Sequence, residues 1–262
     1  MKVLKIIDFD LIRRNLKRGW LPDLPDIRDL PFALIRRKLW REMLPSDVDL
    51  RLGCSAVEDQ GNLGSCTANA IAGALEFLDK VDGKVTEASR LFIYWFERER
   101  IGQVLSDSGA YIRDGVKVCR SKGYCDEALW PYDVAQFKRR PNQAARLDAA
   151  KRIIKGYYRC ATLADVKAAL ASGLPVVFGF SVYSSAMTDA VAKTGDIPLP
   201  STSDTQEGGH AVLAVGYDDA TQRLRFRNSW GVAWGDKGYG TLPYGYITDR
   251  NLSDDFWVIS KL

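Results

Sequence analysis

The stretch Gln60-Gly61-Asn62-Leu63-Gly64-Ser65-Cys66-Thr67-Ala68-Asn69-Ala70 places one cysteine between a glycine-rich turn and a run with helical periodicity. The apolar residues of that run recur at the spacing of one helix face: Ile71, Ala74, Leu75 and Leu78. A thiol at a helix N-terminus lies near unpaired backbone N–H groups and the positive end of the helix dipole, which favour the nucleophilic thiolate. The stretch therefore predicts a nucleophile, with a small buried core cysteine as the alternative.

The chain has 262 residues and is 46% hydrophobic, which is enough for one large core or two smaller ones. No apolar run approaches the roughly 20 residues that span a bilayer, so we expect no membrane span. The N-terminus is charged from Lys2 onward and lacks the apolar region of a secretory signal. The location stays unknown at this point: the absence of a signal favours the cytoplasm, and export by a non-classical route stays open.

The positive charge of the chain is concentrated in its first segment. Residues 1–43 hold 11 basic and 6 acidic side chains, whereas the remaining residues hold 26 and 27. A solvated face is the ordinary meaning of such a run, and docking on an acidic partner or on the protein's own body is the alternative. No nucleic-acid-binding motif accompanies the charge, so we expect no nucleic-acid partner. We also expect a monomeric protein.

The cysteine pattern leaves the redox state open. If Cys66 is a nucleophile, four cysteines remain for two disulfides in three possible connectivities, or as reduced thiols: Cys54, Cys119, Cys125 and Cys160. No Cys-x-x-Cys pair or His/Cys cluster has zinc spacing, so we expect neither a metal nor another cofactor.

Residues 1–43 form a separate N-terminal segment in this interpretation. Three prolines between residues 22 and 31 favour an extended chain over a helix. Its apolar side chains indicate that it lies against the body: Trp20, Leu21, Leu24, Leu30 and Phe32. Core packing and a strap across a cleft both remain open.

The body changes its periodicity along the chain. Helices are predicted near residues 66–82, 89–100, 109–120 and 163–171, and a surface helix or connector within 138–155. Strands are predicted near residues 176–182, 211–217, 224–227, 239–242 and 256–260, with a long polar loop at 184–207. An α+β fold with a helical lobe (44–155), a strand-rich lobe (156–262) and a cleft between them follows.

Two further motifs contain residues that could take part in catalysis. The single histidine, His210, stands at the head of a strand after two glycines and is the one imidazole available as a general base. Asn228 precedes Ser229-Trp230-Gly231, where an amide could orient the imidazole and an indole could exclude water. Gln60 could form an oxyanion hole with the Cys66 N–H. Each has a structural alternative, but together they predict acyl transfer through a Cys–His pair.

In these motifs the chain resembles the papain family of cysteine peptidases (clan CA), from about Leu44 to the C-terminus, and within it a bacterial branch. The matching segments are 60–66, 209–217 and 228–240. The resemblance implies the two-lobed papain-like fold, with Cys66 heading the central helix of the helical lobe. His210 and Asn228 would lie across the cleft on an antiparallel β-barrel-like lobe.

The resemblance also implies roles for single residues. Cys66 would be the nucleophile, His210 the base and then the acid, Asn228 the orienting group, Gln60 the oxyanion donor and Trp230 the shield over the His–Asn bond. Ser108 and Gly109 would bind the backbone of an extended substrate. Four more residues would border the main specificity pocket: Ala110, Tyr111, Gly179 and Gly209.

The chain departs from the family at two positions near the nucleophile. Leu63 stands where a disulfide-bonded cysteine is usual, and Thr67 where an aromatic residue is usual, so the disulfide pattern of the family cannot be transferred. Residues 1–43 occupy the place of a propeptide, and we expect an extended segment that regulates access to the cleft. The predicted function is an endopeptidase acting on polypeptides. An amidase or transpeptidase of the same mechanism, or an inactive binding module, are the alternatives.

Overall fold

The computed structural model describes residues 19–35 and 43–261. Its helices, numbered in chain order, are α1 (Cys66–Val81), α2 (Arg90–Arg100), α3 (Ile112–Ser121), α4 (Gln143–Ala149), α5 (Leu163–Ala171), α6 (Asp189–Thr194) and α7 (Tyr244–Thr248). Its strands are β1 (Trp20–Leu21), β2 (Asp47–Asp49), β3 (Ala110–Tyr111), β4 (Gly156–Arg159), β5 (Val176–Tyr183), β6 (Gln206–Asp218), β7 (Arg223–Arg227), β8 (Tyr239–Pro243) and β9 (Ser253–Ser260).

The strands form one large antiparallel sheet and one small parallel pair. The large sheet has seven strands in the order β4-β9-β5-β6-β7-β8, and β2 pairs with β6. The small sheet pairs β1 with β3. Helices gathered in the first half and an antiparallel sheet in the second confirm the predicted α+β class.

The described residues form two hydrophobic cores, and helix α1 belongs to the first. One core lies among α1, α2 and α3, and the other lies within the large sheet, under α5. The apolar positions that predicted α1 are buried, with Ile71 and Leu75 fully so. Helix α1 contacts β6 as well as its neighbouring helices, and at its N-terminus Cys66 lies against the Ala211 N–H of β6. This packing fixes the position of Cys66.

The structure differs from the sequence-based expectation in two places. The predicted loop at 184–207 contains a 3₁₀ turn and helix α6, which Thr188 caps through its side chain and Gly195 ends with a φ of 77°. Strand β2, placed by the sequence in the helical lobe, pairs with β6 of the large sheet. On the question of disulfides, which the sequence left open, no disulfide joins cysteines within the described part of the chain.

The described part of the N-terminal segment shows both predicted placements, one in the core and one at the cleft. Phe32 is buried in the core of the large sheet, and its N–H donates to the Arg159 carbonyl at 2.8 Å. Trp20 is also buried and lies between the two lobes, against β3, β5 and β6. The basic clusters at 13–18 and 36–38 lie outside the described residues. Residues 19–32 are called the strap below.

Candidate active site

A tightly held turn delivers Cys66 to the start of α1. Gly61 has a φ of 58°, which glycine adopts readily. The Tyr132 hydroxyl donates to the Gln60 carbonyl at 2.9 Å, and the Gly64 N–H donates to the Asp107 carboxylate at 3.0 Å. Sequence reasoning missed Tyr132 and Asp107, because neither belongs to a local pattern.

His210 and Asn228 meet at the head of the large sheet. The distance between His210 Nε2 and Asn228 Oδ1 is 2.8 Å, and the Ser229 N–H donates to the same Oδ1 at 2.8 Å. Because this atom accepts the Ser229 N–H, it is the amide oxygen, and His210 Nε2 must carry the proton of the shared bond. The neutral imidazole then has Nδ1 as its basic nitrogen.

Aromatic rings enclose this hydrogen bond. The Trp230 ring stacks on the imidazole with a centroid distance of 4.5 Å and an interplanar angle of 24°. Phe180 approaches the same imidazole edge-on at 5.8 Å. His210 and Asn228 are both buried, so the bond lies in a low-dielectric environment where it holds the imidazole firmly.

Gln60 connects the nucleophile turn with the Asn228 loop. Its side-chain oxygen accepts from the Ser229 hydroxyl at 2.6 Å, and its side-chain nitrogen donates to the Leu63 carbonyl at 2.9 Å. Its backbone N–H donates to the Ser229 carbonyl at 2.9 Å. Bonds on both sides of the amide fix its orientation beside the N-terminus of α1.

The protonation state of Cys66 differs from the expectation. Burial raises the pKa of the Cys66 thiol to about 11, although the backbone N–H groups of Ala211, Gly19 and Thr67 favour the thiolate. The expectation rested on the effect of the helix N-terminus on the thiol and not on the burial of the sulfur, which has no solvent contact and lies against Gly19 of the strap. With the strap in place, the thiol is therefore the favoured form.

Thr67 follows the nucleophile, at the position where an aromatic residue is usual in the family that the chain resembles. Its hydroxyl donates to the carboxyl group of Glu97 on α2 at 2.8 Å. Glu97 is completely buried, and this burial raises its pKa to about 8. A polar pair between α1 and α2 thus replaces the aromatic packing.

The strap lies on the residues predicted to bind substrate. The Ala110 N–H donates to the Gly19 carbonyl at 2.7 Å, and Tyr111 pairs with Leu21. At Gly109, whose φ is 71°, a Cβ would lie 2.2 Å from the Gly19 oxygen. Ser108 instead donates its hydroxyl to the Gly109 carbonyl.

The Trp20 ring fills the predicted specificity pocket. A Cβ at Gly179 would lie 2.0 Å from the indole, and one at Gly209 would lie 2.8 Å from it. Both glycines therefore leave space that the ring occupies. The residues predicted to border this pocket are thus brought together around Trp20.

Charged residues hold the strap on the body. Arg113 contacts Asp29 at 2.6 Å and donates to the Leu24 carbonyl at 2.6 Å, and Arg159 contacts Asp29 at 3.4 Å. The Trp257 indole donates to the Asp23 carboxyl group at 3.0 Å. Sequence reasoning missed this set, because its members are scattered along the chain.

Comparisons with known proteins identify the family of the chain. A model of the papain family of cysteine proteases matches residues 44–254. A peptidase C1-like protein of Acanthamoeba polyphaga mimivirus is 42% identical over 215 residues, covering 78% of this chain and 69% of that protein. Cathepsin S of Bos taurus is 30% identical, covering 71% of this chain. The chain spans only 56% of that cathepsin's length.

A solved structure is similar over almost the whole chain. Xylellain, a cysteine protease from Xylella fastidiosa, is 43% identical with a TM-score of 0.85, over 94% of this chain and 96% of that one. Within residues 19–35 and 43–261, no helix is long and apolar enough to cross a membrane, and no group of three His, Cys, Asp or Glu side chains could hold a metal ion.

Proposed function

The chain belongs to the papain family of cysteine proteases, and on that basis we propose that Cys66 and His210 hydrolyse peptide bonds with the help of Asn228 and Gln60. The observation that carries this proposal is the hydrogen bond between His210 and Asn228 beneath Trp230, because it orients the protein's single imidazole. A general base that is oriented by a third group is the arrangement that activates a thiol nucleophile.

The proposed reaction has two stages. His210 Nδ1 takes the thiol proton, and the Cys66 sulfur attacks the peptide carbonyl carbon. The oxyanion accepts hydrogen bonds from the Gln60 amide and the Cys66 N–H. The C–N bond then breaks as His210 returns the proton to the leaving amine, which leaves a thioester. In the second stage water attacks the thioester, His210 accepts its proton, and the carboxylic acid leaves as the thiol re-forms.

Labelling of the nucleophile tests this proposal. We expect an epoxysuccinyl inhibitor to add one molecule per chain, at Cys66, because the thiolate opens the epoxide to form a thioether. Intact-mass spectrometry measures the label, and peptide mapping locates it. Cys66→Ala should abolish labelling. Cys54→Ala is the matched control, because Cys54 is a partly exposed thiol outside the site. Labelling that persists in Cys66→Ala would contradict the proposal.

The strap supports a second part of the proposal, that the N-terminal segment closes the cleft. Gly19 lies against Gly64 and Gly109, which flank the nucleophile and the proposed substrate strand. Trp20 fills the pocket, and the ion pairs of Asp29 hold the strap to the body. A polypeptide substrate needs the same surface, so the strap must leave before the substrate binds.

Closure should depend on pH through Asp23. Burial, and then the nearby Asp255 carboxyl group, raise the pKa of Asp23 to about 7, whereas an undocked aspartate titrates near 3.9. Docking therefore takes up a proton, and the strap is held less tightly as the pH rises from about 4 to 7. Arg113, which also faces Asp23, stays charged throughout.

The ratio of two labelling rates measures this effect. We expect the rate for Trp20→Ala divided by the rate for the unchanged chain to fall between pH 5 and 7 and then level off. Dividing the rates removes the titration of Cys66 itself. Asp23→Asn, which imitates the protonated side chain, should flatten the ratio. A ratio that grows with pH would show that Asp23 acts in the opposite direction.

A further inference from the structure

The pocket filled by Trp20 has a charged floor. Gly179 on β5 and Gly209 on β6 lie on the same face of the sheet, where their missing side chains leave a flat surface for the indole, and Trp20 retains only 7% of its exposure there. At the floor, the indole N–H donates to Asp255 Oδ2 at 3.0 Å. The pocket thus recognises both the shape of the ring and its single polar hydrogen.

The two oxygens of Asp255 have different partners. Oδ1 contacts the Arg159 guanidinium at 2.9 Å. Oδ2 accepts from the Trp20 indole at 3.0 Å and from the Asp23 N–H at 2.7 Å. Asp255 itself is fully buried. Arg159 belongs to the body, whereas both donors to Oδ2 belong to the strap.

Release of the strap therefore leaves Asp255 Oδ2 without its two hydrogen-bond donors. Oδ2 loses two hydrogen bonds at once, while Arg159 continues to compensate the charge of Asp255 from the other side. A carboxylate oxygen at the floor of a pocket is destabilised when it loses its hydrogen-bond donors, unless another donor takes their place. A substrate side chain that places an N–H at this depth restores one of them.

We propose that Asp255 makes this protein select substrates with a tryptophan side chain in this pocket. The inference rests on the proposed peptidase function and adds the substrate class. Phenylalanine supplies the ring without the donor, and leucine supplies neither. Arginine supplies donors, but the charge of Asp255 is already compensated by Arg159, and the flat surface at the two glycines fits a planar ring. Tryptophan alone among these meets both requirements.

Peptide cleavage measures this selectivity. The full chain carrying Trp20→Ala, which vacates the pocket, is assayed with peptides that differ only in Trp, Phe, Leu or Arg at each of the three positions before the reporter group. At one position we expect kcat/KM for the Trp peptide to exceed that for the Phe peptide by about tenfold or more, since a site built for a polar hydrogen rejects an analogue lacking it.

Asp255→Asn in the same chain tests the residue. Asp255 has a φ of 60°, a conformation that asparagine tolerates. Arg159 has only donors, so it should hold the amide oxygen and turn the NH₂ group toward the pocket. That group repels the indole N–H, and the Trp to Phe ratio should fall to about one. Retained cleavage of the Phe and Leu peptides shows that the variant folds.

Three results would overturn the proposal: equal or better cleavage of the Phe or Leu peptide, a preference for Arg over Trp, or an unchanged ratio in Asp255→Asn. If no peptide is cleaved, the proposed function fails, and selectivity is then measured by calorimetric binding of the same peptides to the Trp20→Ala chain. The Trp peptide should bind about tenfold more tightly than the Phe peptide. Equal binding would reject the role of Asp255 independently of catalysis.

Discussion

Replacing His210 by alanine will lower kcat/KM for peptide hydrolysis by about 10⁴-fold or more. The chain has a single histidine, so no second imidazole can take over as the base. Loss of the ring also removes the group that Asn228 bonds and Trp230 stacks on. Initial rates with a fluorogenic peptide, in the Trp20→Ala chain so that the cleft is open, measure the change.

Two further measurements separate catalysis from folding. The melting temperature of His210→Ala must show a cooperative folded protein, because the imidazole is buried. Asn228→Ala should lower kcat/KM by about 10- to 100-fold, since the imidazole stays but loses its orienting bond. Asn251→Ala, which removes an exposed amide, is the matched control and should leave the rate unchanged. A folded His210→Ala variant with near-normal rates would refute the assigned chemistry.

Replacing Trp20 by alanine will increase the rate at which an epoxysuccinyl inhibitor labels Cys66, by about 10²- to 10³-fold. The variant loses a buried ring, which costs about 3–5 kcal/mol in typical cores, and it also loses the bond to Asp255. That loss falls on the closed state, where the strap is docked. The ion pairs of Asp29 remain in the variant and still favour the docked strap. We therefore expect a rate increase below the factor that the whole free-energy loss would give.

A matched substitution in the same strap provides the control. Ile27 is fully exposed, so Ile27→Ala removes an apolar side chain without touching the body, and the labelling rate should stay unchanged. The second-order rate constant from time-resolved intact mass gives both values. Equal rates for Trp20→Ala and the unchanged chain would mean that the strap does not limit access to Cys66.

The sequence predicted the parts of the site that depend on local patterns. The apolar spacing after Cys66 identified α1, and the glycines before His210 marked the head of β6, because both signals lie within a few residues of the functional group. The family resemblance then grouped Gln60, Asn228 and Trp230. The structure brings these residues into contact through the bonds of Ser229 and the stacking of the imidazole.

Long-range contacts could not be predicted in this way. Trp20 and Asp255 are 235 residues apart in the chain, and Trp257 and Asp23 are 234 apart, so no periodicity links them. The raised pKa of Cys66 has the same origin, since the strap that buries the sulfur comes from a distant segment. Only the folded chain shows that the dipole of α1 competes with desolvation.

The covalent continuity of the strap with the body has a consequence for the concentration dependence of closure. Phe32 is fixed in the core of the large sheet, and β2 follows within the same chain, so the Gly19–Trp20 pair is tethered beside its own cleft. A tether of this kind acts at an effective concentration on the order of millimolar, whatever the amount of protein present. Dilution therefore leaves the fraction of closed molecules unchanged, and a substrate must compete against a local occupant rather than a dissolved one.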